Sequence, residues 1–150
     1  MGKRFAVVVL GALLAAFAHA ATMEDEVLAV FDKYIAAQNA HDLKAMRTLL
    51  LESADFLWIS RGKPLWGRDA AMKSLEERYK GTWHIDVDRK ELRVVSVSRR
   101  VAQVYAQTQL TAGDPGVEPA KNRVYLNLMM VRKADGWRIT SILPILVPPQ

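Results

Sequence analysis

Residues 27–42, with the sequence VLAVFDKYIAAQNAHD, decide the fold of this chain. Their apolar side chains recur at the spacing i, i+3, i+4, i+7, i+8, which predicts an amphipathic helix with one buried stripe. The stripe consists of Val27, Val30, Phe31, Tyr34 and Ile35. Tyr34 is its only member with a polar tip, and a buried phenol needs a hydrogen-bond partner or a ligand. The pattern therefore predicts a first helix that points a hydroxyl inward, either onto a backbone carbonyl or into a pocket.

The first twenty residues have the pattern of a secretory signal peptide. Lys3 and Arg4 give a positive start, residues 5–18 form an uncharged apolar run, and Ala18-His19-Ala20 is a small-x-small cleavage site. An apolar run of this length is too short to span a bilayer comfortably. We therefore expect cleavage after Ala20, no membrane span in the mature protein, and a periplasmic or secreted location.

The composition of the chain excludes several classes of function. Without Lys3 and Arg4 the net charge falls from +5 to +3, which is too small for a nucleic-acid-binding surface. The chain has no cysteine, so thiol chemistry, thiolate metal sites and disulfides are excluded. Its three histidines lack metal-ligand spacing, and it has no phosphate-binding glycine loop, dinucleotide fingerprint or G-x-S-x-G motif. We predict no metal, no cofactor and no nucleic-acid partner.

Downstream of the first helix, the sequence predicts two more helices and a run of strands. Asp42 is a favourable N-cap for a helix that ends near Glu52, and Gly67 opens a third helix that runs to about Tyr79. Strands are predicted at 54–60, 83–88, 92–98, 101–111, 123–133 and 137–147. This order predicts an α+β fold. We expect a curved, antiparallel-rich sheet that forms a cone, with three helices from the N-terminal half packed on its concave face.

Three segments of the chain resemble the nuclear transport factor 2-like superfamily, and within it the SnoaL-like and ketosteroid-isomerase-like group. They are KYIAAQNAHD at residues 33–42, GRDAA at residues 67–71 and DGWRI at residues 135–139. The resemblance covers residues 24–146, so we expect residues 21–150 to form one such domain. It implies a cone with an interior cavity. The activity stays open, because the superfamily includes isomerases, cyclases and dehydratases beside members that only bind or dimerise.

The resemblance to the isomerases implies where a site would lie. Their oxyanion tyrosine falls on Tyr34, and their second oxyanion donor falls near Asn127, whose amide could also donate a hydrogen bond. Their general base falls on Trp58, or on Ile59 if the alignment is anchored at the Gly62 turn, and neither side chain accepts a proton. Because a positioned base contributes roughly 10²–10⁴-fold to the rate, an enzyme built this way needs a substitute base.

His84, Asp86 and Asp55 are the candidates for that substitute base. His84 is preferred, because an ordinary histidine titrates near neutrality. The competing interpretation of His84 is a partly exposed histidine at the start of a strand. An enzyme that used one of these residues would be an isomerase, cyclase or dehydratase acting on a steroid- or polyketide-like small molecule.

Because the base position holds Trp58, binding is favoured over catalysis. The predicted cavity is lined by Tyr34, Trp58, Tyr125 and Met129, with Asn127 as its polar anchor. It suits a small apolar ligand with one carbonyl or hydroxyl group, unless Trp58 fills the space. A homodimer through the outer face of the sheet is also expected. The remaining alternative is a dimeric interaction module without a ligand, which a large exposed apolar patch on that face would favour.

Overall fold

The computed structural model describes residues 21–148. Helices α1, α2 and α3 comprise Met23–Asn39, Leu43–Leu49 and Arg68–Arg78. Strands β1 to β6 comprise Leu57–Ser60, Lys63–Trp66, Thr82–Ser98, Val101–Gly113, Ala120–Lys133 and Gly136–Leu146. Helix α3 lies between β2 and β3 in the chain. The predicted signal peptide lies outside the described residues.

The six strands of the described chain form one sheet with the order β2-β1-β6-β5-β4-β3. Neighbouring strands run antiparallel, except that β1 and β6 pair in parallel. Helix α1 packs against β3, β4 and β6, while α2 and α3 pack against each other and the β1 end of the sheet. The predicted α+β class, a curved and antiparallel-rich sheet with three helices on its concave face, is confirmed.

Helix α1 has the bounds that its sequence predicts. At its start, the Thr22 hydroxyl accepts a hydrogen bond from the Asp25 N–H, and the Asp25 carboxylate accepts one from the Thr22 N–H at 2.9 Å, which is a capping box. Val27 and Phe31 are fully buried, and Tyr34 is 2% exposed. The predicted inward-pointing phenol is therefore confirmed.

Polar side chains at the end of α1 bind the backbone of β3. Asn39 Nδ2 donates to the Ile85 carbonyl at 2.9 Å, and Asn39 Oδ1 accepts from the Ile85 N–H at 2.8 Å. His41 Nε2 donates to the Trp83 carbonyl at 3.0 Å, and its ring stacks on Tyr79 with 4.6 Å between ring centroids. These contacts fix the end of α1 against the sheet.

The first hairpin differs from its prediction. Strand β1 begins at Leu57 and is followed by a second short strand, β2, that the sequence analysis does not predict. The turn residues Arg61 and Gly62 have φ values of 50° and 74°, as a two-residue hairpin turn of type I′ requires. Pro64 argues against a central strand, but it is tolerated here because β2 lies at the sheet edge.

Strand β3 is one long strand where the sequence predicts two. Its register against β4 shifts between Asp88 and Arg93, so that four residues lie opposite Ala106 alone. Such a bulge bends the strand that contains it. Arg89, within the bulge, forms an ion pair with Asp32 of α1. The sheet therefore curves around this helix.

The buried core fills the space between the helices and the concave face of the sheet. Buried residues alternate with half-buried ones along β4 and β5, because successive side chains of a strand point to opposite faces. The core includes Phe31, Met46, Leu50, Phe56, Leu75, Val104, Leu128, Met130 and Ile139. Among residues 21–148, no helix is long and apolar enough to cross a membrane.

Candidate functional site

A cavity of about 410 Å³ lies inside the cone, within the usual size range of small-molecule sites. Apolar residues of the sheet form most of its wall. They include Trp58, Trp83, Ile85, Leu110, Val124, Leu126 and Ile142. Arg61, Asp114 and Glu118 line the cavity and are exposed, so we place its mouth between the β1–β2 turn and the loop 114–119. The interior cavity that the resemblance implies is therefore present.

Trp58 forms part of the cavity wall. Strand β1 alternates so that Trp58 and Ser60 are buried while the residues between them are half-buried. Trp58 is 4% exposed, yet the cavity beside it remains open. The alternative in which Trp58 fills the interior is therefore wrong.

Tyr34 lines the cavity from α1 and belongs to a buried hydrogen-bond network centred on Gln38. Gln38 Oε1 accepts from the Tyr79 hydroxyl at 2.8 Å and from the Trp83 indole N–H at 2.9 Å. Burial raises the pKa of the Tyr34 phenol well above its ordinary value, and a hydrogen bond with Gln38 opposes this shift. The Tyr34 O–H is thus protonated at neutral pH and available as a donor.

Arg78, the last residue of α3, also lines the cavity. Its Cζ atom lies 5.3 Å from the ring centroids of both Trp58 and Trp83, which is a cation–π distance. Its Nη2 donates to Ser60 Oγ. Burial lowers the pKa of the Arg78 guanidinium, and the positive charge of Arg61 lowers it further, but an arginine in a protein keeps its charge.

The polar groups inside the cavity are mainly hydrogen-bond donors. Tyr34, Arg78 and Ser60 supply O–H and N–H groups, whereas the buried Thr108 hydroxyl already donates to the Val124 carbonyl at 3.0 Å. Such a set suits a ligand with acceptor oxygens on an otherwise apolar body. Within residues 21–148, no cluster of three or more His, Cys, Asp or Glu side chains could hold a metal ion.

One face of the sheet points away from the helices and the cavity, and we call it the outer face. On β5 it carries Tyr125, Asn127 and Met129. They are half-buried, whereas the residues between them are buried toward the helices. Asn127 Oδ1 accepts from Gln103 Nε2 at 3.1 Å, and the Tyr125 ring lies 5.9 Å from that of Tyr105. The prediction that these three residues line the cavity is wrong, because a shift of one residue reverses the face of a strand. The β5 residues that do line the cavity are Asn122, Val124 and Leu126.

His84 lies between Trp83 and Ile85, which line the cavity, so its side chain points to the other face of β3. Its side chain is 50% exposed, and its Nε2 lies 3.1 Å from Asp86 Oδ1. A base must come within about 3 Å of a substrate proton, directly or through one water, so this position does not support His84 as a base for a bound substrate. Asp55 is exposed outside the cavity. The described carboxylates that line the cavity are Asp114 and Glu118, at its mouth.

Gln38 and Arg78 are not among the site residues predicted from the sequence, although both carry a local signal. Gln38 falls at i+4 from Tyr34, so it continues the apolar stripe of α1. Arg78 falls at i+3 from Leu75, which places it on the buried side of α3. In each case a polar residue at an apolar position marks a buried polar site.

Comparisons with known proteins agree with this architecture. The SnoaL-like domain family matches residues 27–143. A search of curated proteins finds no match to the sequence.

Solved structures share the fold at low sequence identity. A candidate dehydratase of the nuclear transport factor 2-like family from Streptomyces avermitilis is 20% identical, with a TM-score of 0.72 over 84% of this chain and 97% of its own. A ketosteroid isomerase-like protein from Erwinia carotovora atroseptica is 18% identical, with a TM-score of 0.67 over 83% and 95%. A candidate calcium/calmodulin-dependent protein kinase II association domain from Xanthomonas campestris is 14% identical, with a TM-score of 0.72 over 87% and 91%. Identities this low establish the fold alone.

The family match extends from the first helix into the last strand. The solved relatives share the arrangement of helices over a curved sheet across more than four fifths of the chain. This protein therefore belongs to the SnoaL-like domain family.

Proposed function

We propose that this protein binds a small, largely apolar molecule in the cavity of the cone. The observation that carries the proposal is the open cavity of about 410 Å³ with apolar walls that include Trp58. The resemblance to the isomerases aligns their base with Trp58 or Ile59, neither of which accepts a proton. An apolar wall that faces an open space lacks the packing contacts that a close-packed core supplies. A ligand that fills it would recover those contacts, so the space has a physical reason to exist as a binding site.

Tyr34 is the group that would orient the ligand. Its hydroxyl is buried, and because burial raises its pKa it stays protonated at neutral pH, so the O–H can donate to an acceptor oxygen. A hydrogen bond in this desolvated setting contributes about 1 kcal/mol to binding. The apolar wall would supply the remaining affinity, and Tyr34 would select ligands with a suitably placed oxygen.

Catalysis is the weaker alternative. The carboxylates of the described chain that line the cavity, Asp114 and Glu118, lie exposed at its mouth. An isomerase, cyclase or dehydratase would need one of them to reach a substrate proton close to Tyr34. Chemical change of any compound that binds, followed by chromatography, would support this alternative.

A thermal-shift screen tests the binding proposal. Protein produced from the full chain is screened against steroid-like, polyketide-like and fatty-acid-like compounds, together with the variants Tyr34→Phe and Tyr125→Phe. A ligand at a hundred times its dissociation constant should stabilise the wild type by about 2.7 kcal/mol. Tyr34→Phe should weaken this effect, whereas Tyr125→Phe removes the same hydroxyl from the outer face and should not. Equal losses in the two variants would contradict a ligand beside Tyr34.

We also propose that the protein forms a homodimer through the outer face. This face of the sheet carries apolar side chains from four strands. They are Val95, Tyr105, Tyr125, Met129, Leu143 and Ile145. Ile145 is 56% exposed, so Ile145→Glu should convert a dimer to a monomer in sedimentation velocity experiments. A wild type that sediments as a monomer would contradict the proposal.

Export is proposed from the sequence of residues 1–20 alone. Expression of the full chain in a Gram-negative host, followed by fractionation and mass measurement, tests it. The expected result is a periplasmic or secreted protein that begins at Ala21. A cytoplasmic product that retains its first twenty residues would contradict it.

A further inference from the structure

Arg78 is a half-buried positive charge that forms no ion pair with a carboxylate of the described residues. Six other arginines of the described chain pair with carboxylates: Arg47, Arg61, Arg68, Arg89, Arg132 and Arg138. Arg78 pairs with none in the described residues, although it is the one that lines the cavity interior beside two tryptophans. Burial of a charge is costly unless an opposite charge or hydrogen bonds compensate for it. The buried part of the Arg78 side chain therefore has no carboxylate of the described residues paired with it.

The nitrogens of Arg78 show where an anion would bind. Nε is buried and has no hydrogen-bond partner. Nη2 donates to Ser60 Oγ. Nη1 has no hydrogen-bond partner among the described residues and is not fully buried, so it is accessible to a ligand that enters the cavity beside Arg78. Ser60 is 7% exposed, and because its oxygen accepts from Arg78, its own O–H is left to donate.

The charged groups nearest Arg78 do not neutralise it. Arg61 and Asp114 both act on it, but Arg61 Nη2 and Asp114 Oδ1 lie 2.9 Å apart and pair with each other. Glu118 lies exposed at the mouth. Glu118, which forms no ion pair with the described residues, would repel a strongly charged ligand such as a phosphate dianion, whereas a single negative charge held at Arg78 is balanced locally.

We propose that Arg78, together with the Ser60 hydroxyl, binds the carboxylate of a small monocarboxylic acid whose apolar body fills the cavity. Guanidinium and carboxylate are planar and match in charge and hydrogen-bond geometry. The two tryptophans hold the guanidinium in place, so little side-chain freedom is lost on binding. This inference rests on the proposed function and adds to it the chemical class of the ligand.

Paired acids and amides test this inference by isothermal titration calorimetry at neutral pH. The probes are 2-naphthoic acid, 4-phenylbutanoic acid and octanoic acid, each with its primary amide. Because a hydrogen bond to a charged group contributes more than a neutral one, we expect at least one acid to bind about 10–100-fold more tightly than its amide. Arg78→Met should remove that difference. Arg47→Met, which removes an arginine of α2 that does not line the cavity, should preserve it.

Each outcome bears on the inference in a distinct way. Amides that bind as tightly as their acids would overturn the role of Arg78 and leave the proposed function in place. Binding by neither acid nor amide up to about 1 mM would overturn both. The comparison within the wild type needs no variant, so the test holds even if Arg78→Met does not fold. In that event Arg78→Lys, which keeps the charge but not the planar fork, should bind the acids with intermediate affinity.

Discussion

The substitution Gln38→Leu should destabilise the fold by stranding two hydrogen-bond donors. Gln38 is 1% exposed, and its Oε1 accepts from Trp83 Nε1 at 2.9 Å and from the Tyr79 hydroxyl at 2.8 Å. Leucine has a similar volume, so the loss is electrostatic and not a cavity. A buried donor without a partner costs about 1–3 kcal/mol. The buried indole N–H of Trp83 should cost an amount in the upper part of this range when it loses its partner. The hydroxyl of the half-buried Tyr79 should cost an amount in the lower part.

The expected decrease in the free energy of unfolding is therefore about 3 kcal/mol. For a domain of this size it corresponds to a decrease of about 10 °C in melting temperature. Urea titrations followed by far-UV circular dichroism measure it without relying on the fluorescence of Trp83, which the substitution itself perturbs. Gln107→Leu is the matched control, because it makes the same change at a half-buried position of the outer face and should cost less than about 0.5 kcal/mol.

A double-mutant cycle isolates the bond to Tyr79. In the background of Gln38→Leu, the change Tyr79→Phe removes a donor that has already lost its partner. It should therefore cost at least about 1 kcal/mol less than in the wild type. If Gln38→Leu destabilises no more than Gln107→Leu, or if the two substitutions are additive, the network does not stabilise the fold as argued.

Three further predictions concern α1, its connection to α2, and pH. Asn39→Ala removes both hydrogen bonds to the Ile85 backbone and should lower the free energy of unfolding by about 2 kcal/mol in urea titrations; a loss within error would contradict this anchoring role. Asp42→Ala removes the cap to the Ala45 N–H and should cost about 1 kcal/mol in thermal unfolding, most of which Asp42→Ser should restore. Burial raises the pKa of the Tyr34 phenol, so the folded state favours the protonated form of this side chain. The resulting contribution to the free energy of unfolding is complete below the ordinary phenol pKa of about 10 and is lost as the pH rises above that value. Urea titrations between about pH 9 and pH 11 should show a steeper loss in the wild type than in Tyr34→Phe.

The sequence predicts α1 and its inward tyrosine accurately because both depend on local patterns. The wide apolar stripe of α1 identifies the helix, and the turn followed by the N-cap of α2 marks where α1 ends. Neither signal depends on the elements that pack against α1. Asp42 caps α2 as predicted, with its side chain accepting from the Ala45 N–H. The end of α2 is less accurate, because Leu50 adopts an extended conformation and bridges to Ile139 of β6, a contact that local patterns do not contain.

The three misplaced residues of β5 show a limit of sequence patterns in strands. The segment around Tyr125, Asn127 and Met129 has apolar residues on both faces, so its alternation does not indicate which face meets the helices. The assignment then depends on an alignment, and an error of one residue reverses it. Arg78 shows a different limit, because the two tryptophans beside it come from β1 and β3 and only the folded chain brings them together.

The charged bulge of β3 also affects how copies of the protein meet. An edge strand presents unpaired backbone groups to which another chain can add a strand. Strand β3 is one edge of the sheet. Its bulge contains the charged residues Arg89, Lys90 and Glu91 at a point where a regular edge strand would present unpaired backbone groups to another chain. At the other edge, Pro64 of β2 lacks a backbone donor. Both edges therefore resist intermolecular strand addition, and crowded copies of this domain are protected from aggregation into a continuous sheet.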